Sequence, residues 1–200
     1  MKFQRFTWSC GSASVVNAFK CFSVNLNEAE VIPVAGTVPA GKCKHCREVA
    51  AALKRRKCKE GRWKCECTQC DRFRKAAKGE CVSGTTYDGI LAAVRHFGAD
   101  LLTASEFKSQ SRDEAWLWLH GALIHARVVI LCVSKWSHWC LAFSTSGDRV
   151  TVFDPQNTIN NKKEHGIHIL PKEKLMKLWW NGTQWKGDDK SLYAISIGKR

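Results

Sequence analysis

Residues 138–155 read HWCLAFSTSGDRVTVFDP. Two β-rich runs, Trp139 to Thr145 and Arg149 to Phe153, flank the turn signal Ser146-Gly147-Asp148, so the stretch predicts a β-hairpin. Pro155 closes the second strand, because proline has no N–H for the ladder. With a three-residue loop, Thr145 faces Arg149. Gln156 then faces His138, and Asp154 lies diagonal to His138 on the same face. Diagonal neighbours are about 7–8 Å apart at the backbone, within side-chain reach. A two-residue loop turns Asp154 to the opposite face, so the pairing depends on register.

Working outward, the apolar, β-branched run from Arg127 to Val133 reads as a buried strand. Leu101-Leu102 fits a short strand and Leu192 to Ile197 a last one. Residues 12–22 (SASVVNAFKCF) suit a helix that starts near Cys10. The stretch with Pro33, Gly36, Pro39 and Gly41 reads as irregular. Thr86 can cap a helix with Tyr87, Ile90, Leu91, Val94 and Phe97 on one stripe and Gly98 as its stop. Ser111 and Glu114 form a capping box for a helix through His120, ended by Gly121. Pro171 can begin a helix through Trp180. Helices come first and an antiparallel sheet follows, which makes the fold class α+β.

The chain has 200 residues, of which 44% are apolar, enough for one sizeable core. No run approaches the roughly 18 apolar residues of a membrane span. The start, MKFQRFTWSC, lacks the apolar core of a signal peptide. Eleven cysteines without such a signal point to a reducing, cytoplasmic compartment, where clustered thiols mean metal.

The net charge of +14 is uneven. Residues 41–81 carry 14 Lys and Arg against 5 Asp and Glu, and the rest carries 18 against 13. The same segment holds seven of the eleven cysteines. This shift reads as a basic module, 41–81, inserted into one domain spanning 1–200. Glu48 to Lys57 is a plausible helix inside it. Cys43-x2-Cys46 and Cys67-x2-Cys70 stand 20 residues apart, the pattern of a tetrahedral zinc site that could hold a segment with little apolar core. Cys65 and Cys58 are further candidate ligands, with Cys81 and His45 in reserve, and two zincs are possible. Lys54-Arg55-Arg56-Lys57, Arg72, Arg74, Lys75 and Lys78 surround Trp63 and Phe73. Such a surface suits nucleic acid, an acidic protein partner or plain solvent.

Cys10 stands apart from that module. A thiol at a helix N-terminus feels the positive end of the dipole, which favours the nucleophilic thiolate. His138 can serve as its base, and Asp154 can orient the imidazole from the other nitrogen. Gln4, six residues before Cys10, can donate its amide to an oxyanion beside the Cys10 N–H. Each of these alone has an ordinary structural reading.

Gln4-x4-Ser9-Cys10-Gly11-x-Ala13 resembles the opening motif of the bacteriocin-processing (double-glycine) peptidase family, a papain-like group. Gly84-Thr85-Thr86 with Gly89 and the Ile90–Gly98 helix resembles its second block. His138-Trp139 with Asp154-Pro155 resembles its third. The resemblance spans most of the chain outside 41–81. It implies a papain-like fold, with the Cys helix against the His-bearing sheet. It also implies a cysteine peptidase with Cys10 as nucleophile, His138 as base, Asp154 as orienter and Gln4 in the oxyanion hole. Two departures stand out. Ser9 replaces the acidic residue usual before the cysteine, and family members, usually attached to membrane exporters, lack a cysteine-rich insertion. The rival readings are a zinc-dependent nucleic-acid- or partner-binding protein on an inactive scaffold, and an isopeptidase acting on ubiquitin-like tails.

Elsewhere, Trp116, Trp118, Trp179, Trp180 and Trp185 suit core or groove walls. Cys21, Cys132 and Cys140 suit inert packing, and His165 and His168 suit the surface. His96, His120 and His125 have no evident partners.

Overall fold

A computed structural model of the chain describes residues 1–6, 8–38, 84–134, 138–159, 165–180 and 192–200. The strands, in chain order, are β1 (Leu102–Ser109), β2 (Val128–Val133), β3 (His138–Ser146), β4 (Arg149–Phe153), β5 (Ile167–Pro171) and β6 (Leu192–Lys199). They form a six-stranded sheet in the order β1-β6-β2-β3-β4-β5. Every pairing is antiparallel.

Helices cover both faces. Val128, Ile130 and Cys132 share a core with α1 (Cys10–Cys21), α2 (Glu28–Val34) and α3 (Tyr87–Gly98). Val129, Leu131 and Val133 share a second core with α4 (Arg112–Ile124) and α5 (Lys172–Trp179). A strand with apolar neighbours on both faces has no polar side to alternate with, which is why β2 reads as one apolar run. The α1 helix lies against β3 and β2, and every residue from Cys10 to Phe19 is buried. Its apolar and small residues therefore show no single stripe, as expected for a helix surrounded by protein.

The helix starts follow their caps. Thr86 Oγ1 accepts from the Gly89 N–H at 3.1 Å, and Ser111 Oγ accepts from Glu114 N–H at 3.2 Å. The return half of the expected capping box runs through one more hydroxyl. Glu114 takes a short hydrogen bond from Ser109, and Ser109 Oγ accepts the Ser111 N–H at 2.9 Å.

Several boundaries differ from the sequence expectation. α4 continues past Gly121 to Ile124, because Leu123 still reaches the second core. β1 extends to Ser109, paired with β6 along its whole length. β6 runs on to Lys199. Pro171 ends β5, and α5 starts at Lys172. The stretch read as irregular contains α2, capped by Asn27 Oδ1 accepting from Ala29 N–H at 3.1 Å. Pro33 sits in its last turn. β5 also went unread, and it buries His168, which the sequence placed on the surface. His165 is exposed as expected. Cys132 and Cys140 are buried, but Cys21 is exposed.

The hairpin differs in an instructive way. Ser146 pairs with Arg149, so the loop is the two-residue turn Gly147-Asp148 and not the three-residue one. By itself that would turn Asp154 to the wrong face. A β-bulge between Ala142 and Ser144 adds one residue to β3 and restores the register, so that Leu141 pairs with Phe153. The bulge therefore does what the longer loop was expected to do.

Val38 and Gly84 meet in an isolated bridge, exchanging N–H···O bonds of 2.9 and 2.8 Å. Val38 and Gly84, although 46 positions apart in the chain, are thus held side by side. The module read at 41–81, with its helix at Glu48 to Lys57, lies outside the described residues, as do Trp136 and Trp185. Among the described residues no helix is long and apolar enough to cross a membrane.

Candidate active site

Cys10 is the first residue of α1 and is 7% exposed. No side chain caps this helix start, so the positive end of the dipole is left to the thiol and to any anion formed beside it. Ser9, at the cap position, is engaged elsewhere. Its hydroxyl lies 2.5 Å from Glu28 Oε1 and 2.9 Å from the Phe6 carbonyl. Glu28 Oε2 also accepts from Arg5 N–H at 2.9 Å. A carboxylate supplied by α2 therefore stands one side chain away from the residue that precedes Cys10. Sequence reasoning missed Glu28 because it missed α2.

His138 begins β3, 5% exposed, and Asp154 follows β4 with no exposure at all. His138 Nε2 donates to Asp154 Oδ1 at 2.7 Å. The same oxygen accepts from Gln156 N–H at 2.8 Å. Oδ2 accepts from the backbone N–H groups of Thr158 at 2.5 Å and Ile159 at 2.9 Å, and from Thr158 Oγ1 at 3.0 Å. Asp154 thus folds the chain behind it into a turn around its own carboxylate, a habit of aspartate visible in Asp154-Pro155-Gln156-Asn157-Thr158.

Burial alone would raise the Asp154 pKa. The hydrogen bond and charge of His138, with the amides of Gln156 and Ile159, outweigh it and hold the carboxyl well below the usual range. Burial also works against a charged His138, yet Asp154, with Cys10 close by, raises the imidazole to about 9. His138 Nδ1 is buried, with no aligned hydrogen-bond partner among the described residues. The nitrogen free of Asp154 is the one a nucleophile or leaving group would use. Such bonds are often loose until substrate tightens them. Burial pushes the Cys132 and Cys140 thiols up, so both stay protonated and inert beside the site.

Gln4 lies at the same end of the sheet. Its backbone N–H donates to the Pro155 carbonyl at 3.0 Å, tying the terminal segment to the residue after Asp154. Its side-chain amide donates one hydrogen to the Phe6 carbonyl at 2.6 Å, which leaves the second hydrogen for another acceptor. The proposed metal ligands Cys43, Cys46, Cys58, Cys65, Cys67 and Cys70 lie outside the described residues. Among the described residues no group of three or more His, Cys, Asp or Glu is placed to hold a metal ion.

No protein-family model matches the sequence, and neither does any curated protein. Solved structures do match. The peptidase domain of Streptococcus ComA, a bi-functional ABC transporter involved in quorum sensing, aligns over 99% of this chain and 95% of its own, at 14% identity and a TM-score of 0.51. A double glycine motif protease from an AMS/PCAT transporter, solved with its leader peptide, aligns over 98% and 87%, at 12% identity and a TM-score of 0.50. A C39-like peptidase from Bacillus anthracis aligns over 100% and 94%, at 11% identity and a TM-score of 0.53. The chain therefore has the α+β, papain-like fold of double-glycine peptidase domains, with the cysteine-bearing helix packed on the sheet that carries His138 and Asp154.

Proposed function

We propose that this chain is a cysteine peptidase that cleaves a peptide or precursor protein through Cys10, His138 and Asp154. The observation that carries the reading is the buried 2.7 Å His138–Asp154 hydrogen bond at the end of the sheet reached by Cys10. A raised imidazole next to a thiol at a helix N-terminus favours a thiolate–imidazolium pair. In this mechanism the Cys10 thiolate attacks the scissile carbonyl carbon. The carbonyl oxygen takes the electron pair and is held by the Cys10 N–H and the second amide hydrogen of Gln4. As the tetrahedral intermediate collapses, His138 gives its proton to the leaving amine, and a thioester remains on Cys10. His138 then takes a proton from water, the resulting hydroxide attacks the thioester, and the thiol is released with the acid product. Asp154 keeps the imidazole oriented and stabilises its charged form throughout.

The test is labelling with a thiol-directed peptide inhibitor. One equivalent should attach at Cys10, and none in Cys10→Ala. A Cys10 that stays unlabelled in folded protein would sink the reading.

The 41–81 segment is proposed as a structural zinc module, held by Cys43, Cys46, Cys67 and Cys70 with Cys65 or Cys58 as substitutes, that presents a basic face to substrate, partner or nucleic acid. Its support is the paired CxxC spacing and the charge of the segment. Metal analysis of the purified chain should find one to two zinc ions per molecule, lost in Cys43→Ser/Cys46→Ser. A metal-free protein would refute it.

A further inference from the structure

Besides the direct packing of α1 on β3, one residue that takes no part in the proposed chemistry touches both the nucleophile helix and the histidine strand. Thr85 fills the space where Gly11 has no side chain. A β-carbon at Gly11 would lie 2.5 Å from Thr85 Cβ and 2.6 Å from Thr85 Oγ1. The first turn of α1 therefore rests directly on Thr85. The carbonyl of Thr85 accepts from Trp139 Nε1 at 2.9 Å, and Trp139 is the residue after His138. The hydroxyl of Thr85 lies 2.8 Å from Thr37 Oγ1, which lies 2.6 Å from Ser12 Oγ. All three hydroxyls belong to buried residues. The chain of bonds so formed starts two residues after Cys10 and ends one residue after His138.

From this we infer that Thr85 is a positioning residue of the thiol–imidazole pair, acting at three points to set the distance and angle between Cys10 and His138. Its methyl and β-carbon set how deeply the α1 N-terminus sits. Its hydroxyl fixes its own rotamer through Thr37 and so back to α1. Its carbonyl fixes the indole of Trp139 and with it the start of β3. Buried hydroxyl chains of this kind hold one geometry, because any rearrangement strands a polar group. A misplacement of about 1 Å between reacting groups can cost roughly a hundredfold in rate. Gly89 lets α3 close on the end of α2, because a β-carbon there would lie 2.1 Å from the Ala35 carbonyl. Among the described residues, the charged and titratable groups around His138 are Asp154 from the end of β4 and Cys10 from α1, with the protonated thiols of Cys132 and Cys140 nearby. None of these is changed by substituting Thr85, so a shifted pH profile would report on geometry.

This inference rests on the peptidase reading, and the experiment separates the two. The probe is iodoacetamide, and the readout is the rate of Cys10 alkylation against pH, followed by mass spectrometry alongside a thermal melt. Wild type should alkylate at acid pH, where an ordinary thiol is protonated. Thr85→Val keeps the shape but not the hydroxyl. It should lower the acid-pH rate about tenfold or more and move the onset to higher pH, with the fold retained. Thr85→Ser keeps the hydroxyl and should stay within about threefold of wild type. Trp139→Phe removes the indole N–H together with part of the ring, and its onset should move in the same direction; it covers the case in which Thr85→Val fails to fold. If folded variants follow the wild-type profile and differ only in melting temperature, Thr85 is structural and the inference falls alone. If wild-type Cys10 itself titrates as an ordinary thiol, the peptidase reading falls and takes this one with it.

Discussion

The two faces of the sheet are built from different material. On the α4/α5 face the buried side chains are mostly apolar, from Leu119 and Leu131 to Leu170, Leu175 and Trp179, with Ser109, His168 and Ser196 as isolated polar residues among them. Trp179 also satisfies its one polar atom, donating to the Tyr193 carbonyl at 2.8 Å. On the α1 face the apolar core is threaded with Ser9, Ser12, Ser14, Asn17, Thr37 and Thr85, all buried. Asn17 alone bonds the Ala13 carbonyl and both backbone groups of Lys2. Apolar packing resists unfolding but tolerates small shifts. Polar threading adds less net stability per bond, yet it penalises every arrangement but one. The face that carries Cys10 is the face built for fixed geometry.

That division can be broken by experiment. The largest effect should come from His138→Ala. Peptide hydrolysis should fall by at least about four orders of magnitude while the protein stays folded, because the proposed base and the partner of Asp154 go together. Trp179→Ala is the counterpart in the apolar core under α4 and α5. It should cost about 3–5 kcal/mol in denaturant unfolding, and the molecules still folded should alkylate at Cys10 as wild type does. A Trp179→Ala protein with an altered alkylation profile would show that the two faces are not separable.

The same contrast governs how much the sequence revealed. Elements whose side chains see one environment were legible. β2 was read from its apolar run, α3 from its stripe between Thr86 and Gly98, and α1 from its position behind Cys10. The candidate site was legible too, because Cys10, His138 and Asp154 sit at element ends, where spacing and turn chemistry speak directly. What escaped depends on tertiary contact. The bulge at Phe143 has no local signal, since the residues around it are ordinary strand formers, and only the paired strand reveals the extra residue. α2 was hidden by Pro33, which is tolerated because it falls in the last turn of a helix anchored by Val31 in the core. β5 was hidden by its edge position. Ile167 and Ile169 point out while His168 and Leu170 point in, so the burial pattern inverts what polarity suggests.

The pH dependence of stability should separate the faces next. His138 is raised from an ordinary 6.5 to about 9. Its stabilisation is complete below 6.5 and fades as pH rises through about 9. Asp154 is lowered from 3.8, so its contribution is complete above 3.8 and fades as pH falls through its depressed value. The pair therefore stabilises most between 3.8 and 6.5. Melting temperatures of wild type and Trp179→Ala should follow parallel curves against pH. His138→Ala should lose the decline toward pH 9 and narrow its gap to wild type there. Three parallel curves would mean that the ion pair is not coupled to folding.

The smallest expected effect tests how far the polar threading extends. Glu28 reaches from α2 to the segment before Cys10, where one carboxylate holds both Arg5 N–H and the Ser9 hydroxyl. Glutamine has a single side-chain acceptor oxygen, so Glu28→Gln must weaken one of these bonds while keeping the other. Cys10 alkylation should slow by about two- to threefold, in line with the loss of one hydrogen bond to a charged group that is only half buried. Glu28→Ala removes both and should cost about tenfold, because Ser9 and Arg5 both lose their carboxylate. The order of the two variants carries the information. If Gln and Ala slow the reaction equally, the negative charge matters and the hydrogen bonds do not. If neither does, the segment before Cys10 is held by the Gln4 N–H bond to Pro155 and by the Asn17 bonds to Lys2, without help from Glu28.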